Sequence, residues 1–134
     1  MTIKTASLRD LNKLPKYSYK ILITRYYPFY IKDIKRIIDE WIPDLAPTKE
    51  LLKAFKDELK RTNNQEIAFN ISKYDSRFRH QVLNDSVSMN ELRRIGRLSK
   101  EKDVYLLCHE KEETYCHRRI VREIIEMGIG AGWI

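Results

Sequence analysis

Apolar positions along this chain alternate between the two-residue period of a strand and the three-to-four-residue period of a helix. TIKTAS (residues 2–7) alternates weakly and YKILIT (19–24) is a strong β-branched run, so both predict strands. The spacing then turns helical. In IKDIKRIIDEWI (31–42), Ile31, Ile34, Ile37, Ile38 and Trp41 fall on one helical face, and Pro43 stops the pattern. After DLAP, Thr48 is the expected N-cap of TKELLKAFKDELKR, whose Leu51, Leu52, Phe55 and Leu59 form one stripe. Ile67, Ile71, Tyr74, Phe78 and Val82 predict a helix over about 65–83, with a short strand at EIAFNIS as the alternative. Ser88 and Glu91 read as a capping box before a helix carrying Met89, Leu92, Ile95 and Leu98.

DVYLLC (103–108) has the apolar density of a strand buried on both faces. Cys116 to Met127 is predicted as a helix with Ile120, Val121, Ile124 and Ile125 facing inward and Gly128 at its C′ position. The ending IGAGWI carries no assignment. Two strong strands, each followed by a loop and a helix, imply βα units. The expected fold is a single α/β domain over residues 1–134, with a small, mostly parallel sheet flanked by helices and 128–134 as a C-terminal tail. Ligands of such sheets sit beyond the carboxyl ends of the strands, which places Arg25–Tyr30 and Cys108–Cys116 on one rim if both strands run parallel.

Composition narrows the class. With 134 residues, 43% hydrophobic and 34% charged, and only four glycines and four prolines, the chain is long enough for one core and unlike a linker or a fibrous protein. The start lacks a basic-then-apolar leader and no apolar run approaches the ~20 residues of a membrane span, so a cytoplasmic protein without a membrane partner is expected. Two cysteines in that compartment are expected as thiols.

The charge is uneven. Residues 1–36 hold nine Lys/Arg against Asp10 and Asp33, which accounts for the net +7, since the remainder balances at 17 against 17. Interleaved with these cations are Tyr17, Tyr19, Tyr26, Tyr27 and Tyr30. A surface for phosphates with aromatic platforms for bases is one reading; solubilising lysines beside tyrosines that pack a sheet edge is the plainer one.

Both cysteines and two of the three histidines lie in LLCHEKEETYCHRR (106–119). Metal ligation is disfavoured by spacing, because the pairs Cys108-His109 and Cys116-His117 are adjacent and adjacent side chains diverge on a strand and on a helix alike. No metal is therefore expected, and no cofactor is identified. A redox pair is sterically reasonable but lacks the C-x-x-C spacing. The strongest physical case is an activated thiol. Cys116 stands at a helix start, expected to be partly exposed, where free N–H groups favour a thiolate and His117, Arg118 and Arg119 add positive charge. The same features make an anion pocket for Arg118 and Arg25, with Tyr26 and Tyr27 beside it, Glu110 as a candidate base or as an ion-pair partner of an arginine, and Cys108 as a resolving thiol or simple packing.

ITRYYP, WIPDLAPTKELLKAF and VYLLCHEKEETYCHRRIVREII together resemble, in order, segments of domain-of-unknown-function family 488, including its YeaO-like members, over about residues 2–127. The resemblance implies a compact α/β domain whose family pattern falls on Arg25, Pro28, Cys108, Glu110, Cys116, His117 and Arg118. It carries no reaction with it. The expected function is an intracellular enzyme of unassigned reaction acting on a nucleotide or nucleic-acid-like anion, with Cys116 as nucleophile or redox thiol and His117 and Glu110 for proton transfer. A non-catalytic basic nucleic-acid-binding module is the alternative, and a protein-interaction subunit the second; the sequence does not set an oligomeric state.

Overall fold

The β-branched and apolar runs form the strands of a sheet that the computed structural model describes over residues 2–134. Strand β1 (Ile3–Ser7), β2 (Tyr19–Leu22), the two-residue β3 (Glu40–Trp41) and β4 (Val104–Cys108) are ordered β1-β4-β2-β3. All the pairings are parallel, with Ile3 and Tyr19 both opposite Val104. The expected α/β fold is what forms.

Alternation along the central strand splits the core. Val104 and Leu106 face a large cluster with Ile21, Ile23, Phe78, Leu92, Ile95 and the inward residues of the last helix. Leu107 faces the other way, onto Leu22, Leu8, Leu11 and Ile34. Helices α2 (Lys49–Thr62), α3 (Gln65–Ile71), α4 (Tyr74–Leu83), α5 (Ser86–Leu98) and α6 (His117–Ala131) belong to the large face, and a 3₁₀ segment (Leu8–Lys13) and the one-turn α1 (Ile34–Ile37) cover the small one. Among the described residues no helix is long and apolar enough to cross a membrane.

Several sequence expectations need correction. The helix predicted over 31–42 is one turn long, because the chain from Asp39 onward joins the sheet. The Asp39 N–H donates to the Lys20 carbonyl at 2.8 Å, its carboxylate accepts the Lys20 N–H at 2.7 Å, and the Ile42 N–H reaches the Leu22 carbonyl at 2.8 Å. Those ladder bonds compete with the helical ones, and Ile38 is already extended (φ −85°, ψ 148°).

The helix predicted over 65–83 is two helices, broken where Lys73 takes φ 55°. Phe69 and Tyr74 would lie about 140° apart on one straight helix. The break lets both rings bury and stack at 5.0 Å, leaving Ile67 and Ile71 44% and 49% exposed. At α5 the cap is Asp85, not Ser88: its carboxylate accepts the Ser88 N–H at 3.0 Å and its hydroxyl at 2.7 Å. Thr48 does cap α2, accepting the Leu51 N–H at 3.2 Å. Finally, α6 runs through Gly128 to Ala131 and ends on Gly132 at φ 84°.

Candidate active site

The rim is where the two halves of the sequence meet. β2 and β4 are parallel neighbours, so the segment after Ile23 and the segment after Cys108 leave the sheet on the same edge. Cys116 is the N-cap of α6, with φ −125° and ψ 144°, and His117 is its first helical residue. Divergence of adjacent side chains holds inside a regular strand or helix; at this junction one residue is extended and the next helical, and both turn toward Cys108.

The result is a tight cluster. The Cys108 and Cys116 sulfurs and a ring nitrogen of His117 all lie within 4.8 Å of one another, and the three residues are buried. Cys108 Sγ is 3.8 Å from the His117 ring nitrogens, and Cys116 Sγ is 3.8 Å from Nδ1. His117 Nε2 lies 2.5 Å from the Ile23 carbonyl oxygen. A carbonyl only accepts, so Nε2 carries the proton and Nδ1 keeps its lone pair on the side of Cys116 Sγ, while Cys108 Sγ, equidistant from both nitrogens, lies over the ring face. Cys116 is 1% exposed, against the partly exposed helix start that the sequence suggested, and both cysteines are free thiols.

The two thiols differ in how readily each ionises. The Cys108 thiol is held below its usual 9.0, chiefly by a hydrogen bond from Cys116, and, against the penalty of burial, by the Glu110 and His109 backbone N–H groups and the Arg118 charge. Cys116 is pushed well above that value by the same bond, by burial and by the charge on Cys108. The more easily ionised thiol is thus Cys108 rather than Cys116.

Arg118 does not line the cavity. It is 2% exposed; Nη1 donates to the Glu110 carbonyl at 2.6 Å and Nη2 to the Lys111 carbonyl at 3.2 Å, and Nη1 lies 3.6 Å from Cys116 Sγ. Its Nε is buried without a partner. This arginine therefore shapes the 109–116 loop and sets a positive charge beneath the thiols. The far side of the loop is tied down by Glu113, which accepts from the Thr5 hydroxyl and from Arg122 Nη1 at 2.9 Å.

Above the cluster is a cavity of about 180 Å³. Cys108, Cys116, His117 and Tyr74 are its buried side; Arg25, Tyr26, Lys56, His109, Glu110 and Tyr115 are the more exposed lining residues. Arg25 lines it while donating Nε to the Pro47 carbonyl at 2.9 Å and Nη2 to the Ala46 carbonyl at 2.8 Å. The Glu110 carboxylate forms no ion pair among the described residues, so the pairing with an arginine weighed from sequence does not occur. Tyr26 is at the rim with the Lys49 ammonium 6.0 Å from its ring centre. Tyr27 is elsewhere, packed edge-on to Trp41 at 5.2 Å on the small face of the sheet.

Sequence reasoning gave no site role to Tyr74, Lys56 or His109. Tyr74 looked like one more core position, and its phenol is pushed well above the usual range, first by burial and then by the thiol and Glu110 charges. Lys56 borders the Leu52 and Leu59 stripe of α2, which was the available signal. His109 stacks on Tyr30 at 6.1 Å, with Nδ1 2.9 Å from the phenol oxygen.

The profile of the active DUF488-N3 subclade, DUF488-N3a, matches residues 3–128. The chain belongs to this family. It is also 28% identical over 106 residues to the uncharacterized protein YeaO of Escherichia coli (strain K12), covering 78% of this chain and 81% of YeaO. No solved structure matches. For a DUF488-N3 protein the description of the subclade as active implies a catalytic role, and the buried Cys/Cys/His cluster is a chemically equipped place for it.

Proposed function

We propose that this DUF488-N3 protein is an enzyme acting on a nucleotide-like anion, with the Cys108–Cys116–His117 cluster as its reaction centre. The observation that carries the reading is the placement of that cluster at the buried end of a cavity whose exposed lining includes Arg25 and Lys56. Cations at the open side recruit the anion, and the sulfurs and the His117 Nδ1 lone pair are the groups that meet its reacting atoms. Glu110, exposed and without an ion-pair partner, is the candidate for proton transfer.

Size supports a nucleotide that enters only in part. The cavity's 180 Å³ is below the roughly 300–1,000 Å³ of a pocket that swallows a whole drug-sized ligand. One moiety fits inside, and the remainder lies on the rim, where Tyr26 and the Tyr30–His109 stack offer flat faces. The competing reading of a broad basic nucleic-acid surface has less support. Lys20 is buried with its ammonium on the Pro15 and Ser18 carbonyls, and Tyr19 and Tyr27 are packed.

Calorimetric titration with a series of nucleoside mono- and diphosphates tests the proposal. Binding that Lys56→Glu weakens by about tenfold is expected, equivalent to about 1.4 kcal/mol. A series in which no member binds at millimolar concentration would remove the reading.

A further inference from the structure

We propose that Cys108 Sγ, Cys116 Sγ and His117 Nδ1 are the three protein ligands of a zinc ion whose fourth position opens into the cavity. The inference deepens the proposed function and rests on it for what happens at that open position, while the metal site itself stands on geometry.

The donor set is right for zinc. Two thiolates and one imidazole are soft and borderline ligands, and a Cys₂His set that leaves one position open is a catalytic arrangement rather than a closed structural one. The sulfur–nitrogen spacing is nearly in place. Tetrahedral zinc with bonds of about 2.3 Å to sulfur and about 2.0 Å to nitrogen needs sulfur–nitrogen separations of about 3.5 Å. The two observed between His117 Nδ1 and the sulfurs are 3.8 Å each. Closing that difference takes a few tenths of an ångström at nitrogen, while the two sulfurs, within 4.8 Å of each other, must close to the about 3.8 Å that tetrahedral zinc requires, a movement of up to about 1 Å.

Two of the three candidate ligands already have the outer partner that metal ligands use. His117 spends Nε2–H on the Ile23 carbonyl at 2.5 Å, which aims the Nδ1 lone pair inward. Cys108 ends β4, where the chain turns into the 109–116 loop that Arg118 holds through the Glu110 and Lys111 carbonyls. Cys116 has the Arg118 Nη1 group at 3.6 Å. An inert packing cluster needs none of these partners, and a lone nucleophilic thiol needs only its own. All three ligand residues line the cavity, so the open position faces the space assigned to the substrate. Zinc there would polarise an oxygen of a bound anion or activate a water molecule.

The test uses the full-length chain, purified under reducing conditions, stripped with chelator and titrated with Zn²⁺ and with Co²⁺ as a spectroscopic substitute. One equivalent of Co²⁺ is expected, giving intense tetrahedral d–d bands and a sulfur-to-cobalt charge-transfer band. Cys108→Ser, Cys116→Ser and His117→Ala should each weaken Zn²⁺ binding by about 100-fold or more, while His109→Ala and His80→Ala keep it. X-ray absorption at the zinc edge of the wild-type protein covers the case in which a ligand variant does not fold: two sulfurs and one imidazole nitrogen are expected. A wild-type chain that takes up no metal, or a cobalt spectrum that survives loss of either cysteine, overturns the site. Nucleotide binding by the stripped protein is a separate measurement, so a missing metal and a missing substrate class are told apart.

Discussion

His117 Nε2 lies 2.5 Å from the carbonyl oxygen of Ile23, tying the first residue of α6 to the residue that follows β2. The bond joins the two rim segments and fixes the ring against Phe78, whose ring centre is 5.6 Å away. Replacing His117 by Ala leaves a buried carbonyl unpaired, at about 1–3 kcal/mol, and adds a void beneath the cavity. Urea denaturation should show His117→Ala destabilised by about 2–4 kcal/mol. A loss under about 0.5 kcal/mol, the range of an ordinary surface substitution, would mean that the ring is not held as described.

Arg118 acts on the 109–116 loop through a fork that lysine does not have. Its two terminal nitrogens reach two different carbonyls, those of Glu110 and Lys111. An ammonium is a point charge that cannot span both in the same geometry. Arg118→Lys should therefore cost about 2–3 kcal/mol and speed amide exchange in residues 109–115 while leaving α2 protected. Unchanged exchange in the loop would show that Arg118 does not hold it.

How much of this was legible in the sequence follows from where each interaction comes from. Strands β1, β2 and β4 and the inward face of α6 were readable because residues such as Ile21, Leu106, Ile120 and Ile124 are core residues at regular spacing. The helix over 31–42 misled because its isoleucines fit a helical period while the Lys20–Asp39 bonds that pull the chain into the sheet are non-local. At the site, Cys108, Cys116, His117 and Glu110 were visible by type and Arg25 by position. Their geometry was not, since the argument from adjacent residues assumes a regular element and Cys116 sits between two conformations. Arg118 was readable as a cation but not as a buried one. Its partners are main-chain carbonyls, which no side-chain pattern reveals.

Stability should depend on pH through a network away from the cavity. Arg94 forks onto Glu40 with Nη1 to Oε2 at 2.9 Å and Nη2 to Oε1 at 2.5 Å, and the Tyr19 hydroxyl donates to the same carboxylate at 2.5 Å. The Arg94 bond holds the Glu40 carboxyl below its usual 4.5. A depressed acid gives stability that is complete above the unfolded value and lost as pH falls through the folded one. Tyr19 is pushed up from 10.0 to about 12, first by burial and then by Glu40. A raised group has the opposite sign: its contribution is present below pH 10 and lost as pH rises toward 12. Chemical denaturation across pH should show Arg94→Gln flattening the loss below about pH 4.5 and Tyr19→Phe flattening the loss above about pH 10. Parallel curves for wild type and variants would refute the assignment.

The last prediction concerns the end of the chain, which folds back over α5 and α6. Trp133 and Ile134 both donate their N–H groups to the Gly128 carbonyl, at 3.1 and 3.2 Å. A Cβ on Gly128 would meet Ile134 Cδ1 at 2.6 Å and Trp133 Cζ2 at 2.8 Å, and one on Gly96 would overlap Ile134 Cγ2. In an unobstructed helix, Gly→Ala stabilises by about 1 kcal/mol. Here the terminal side chains occupy the space, so Gly128→Ala should displace them, redden the Trp133 fluorescence and lower stability. The sign separates this from a general intolerance of the helix: in a chain ending at Gly132, the same substitution should become neutral or stabilising. If Gly128→Ala remains equally destabilising after truncation, the glycine serves some neighbour other than the tail.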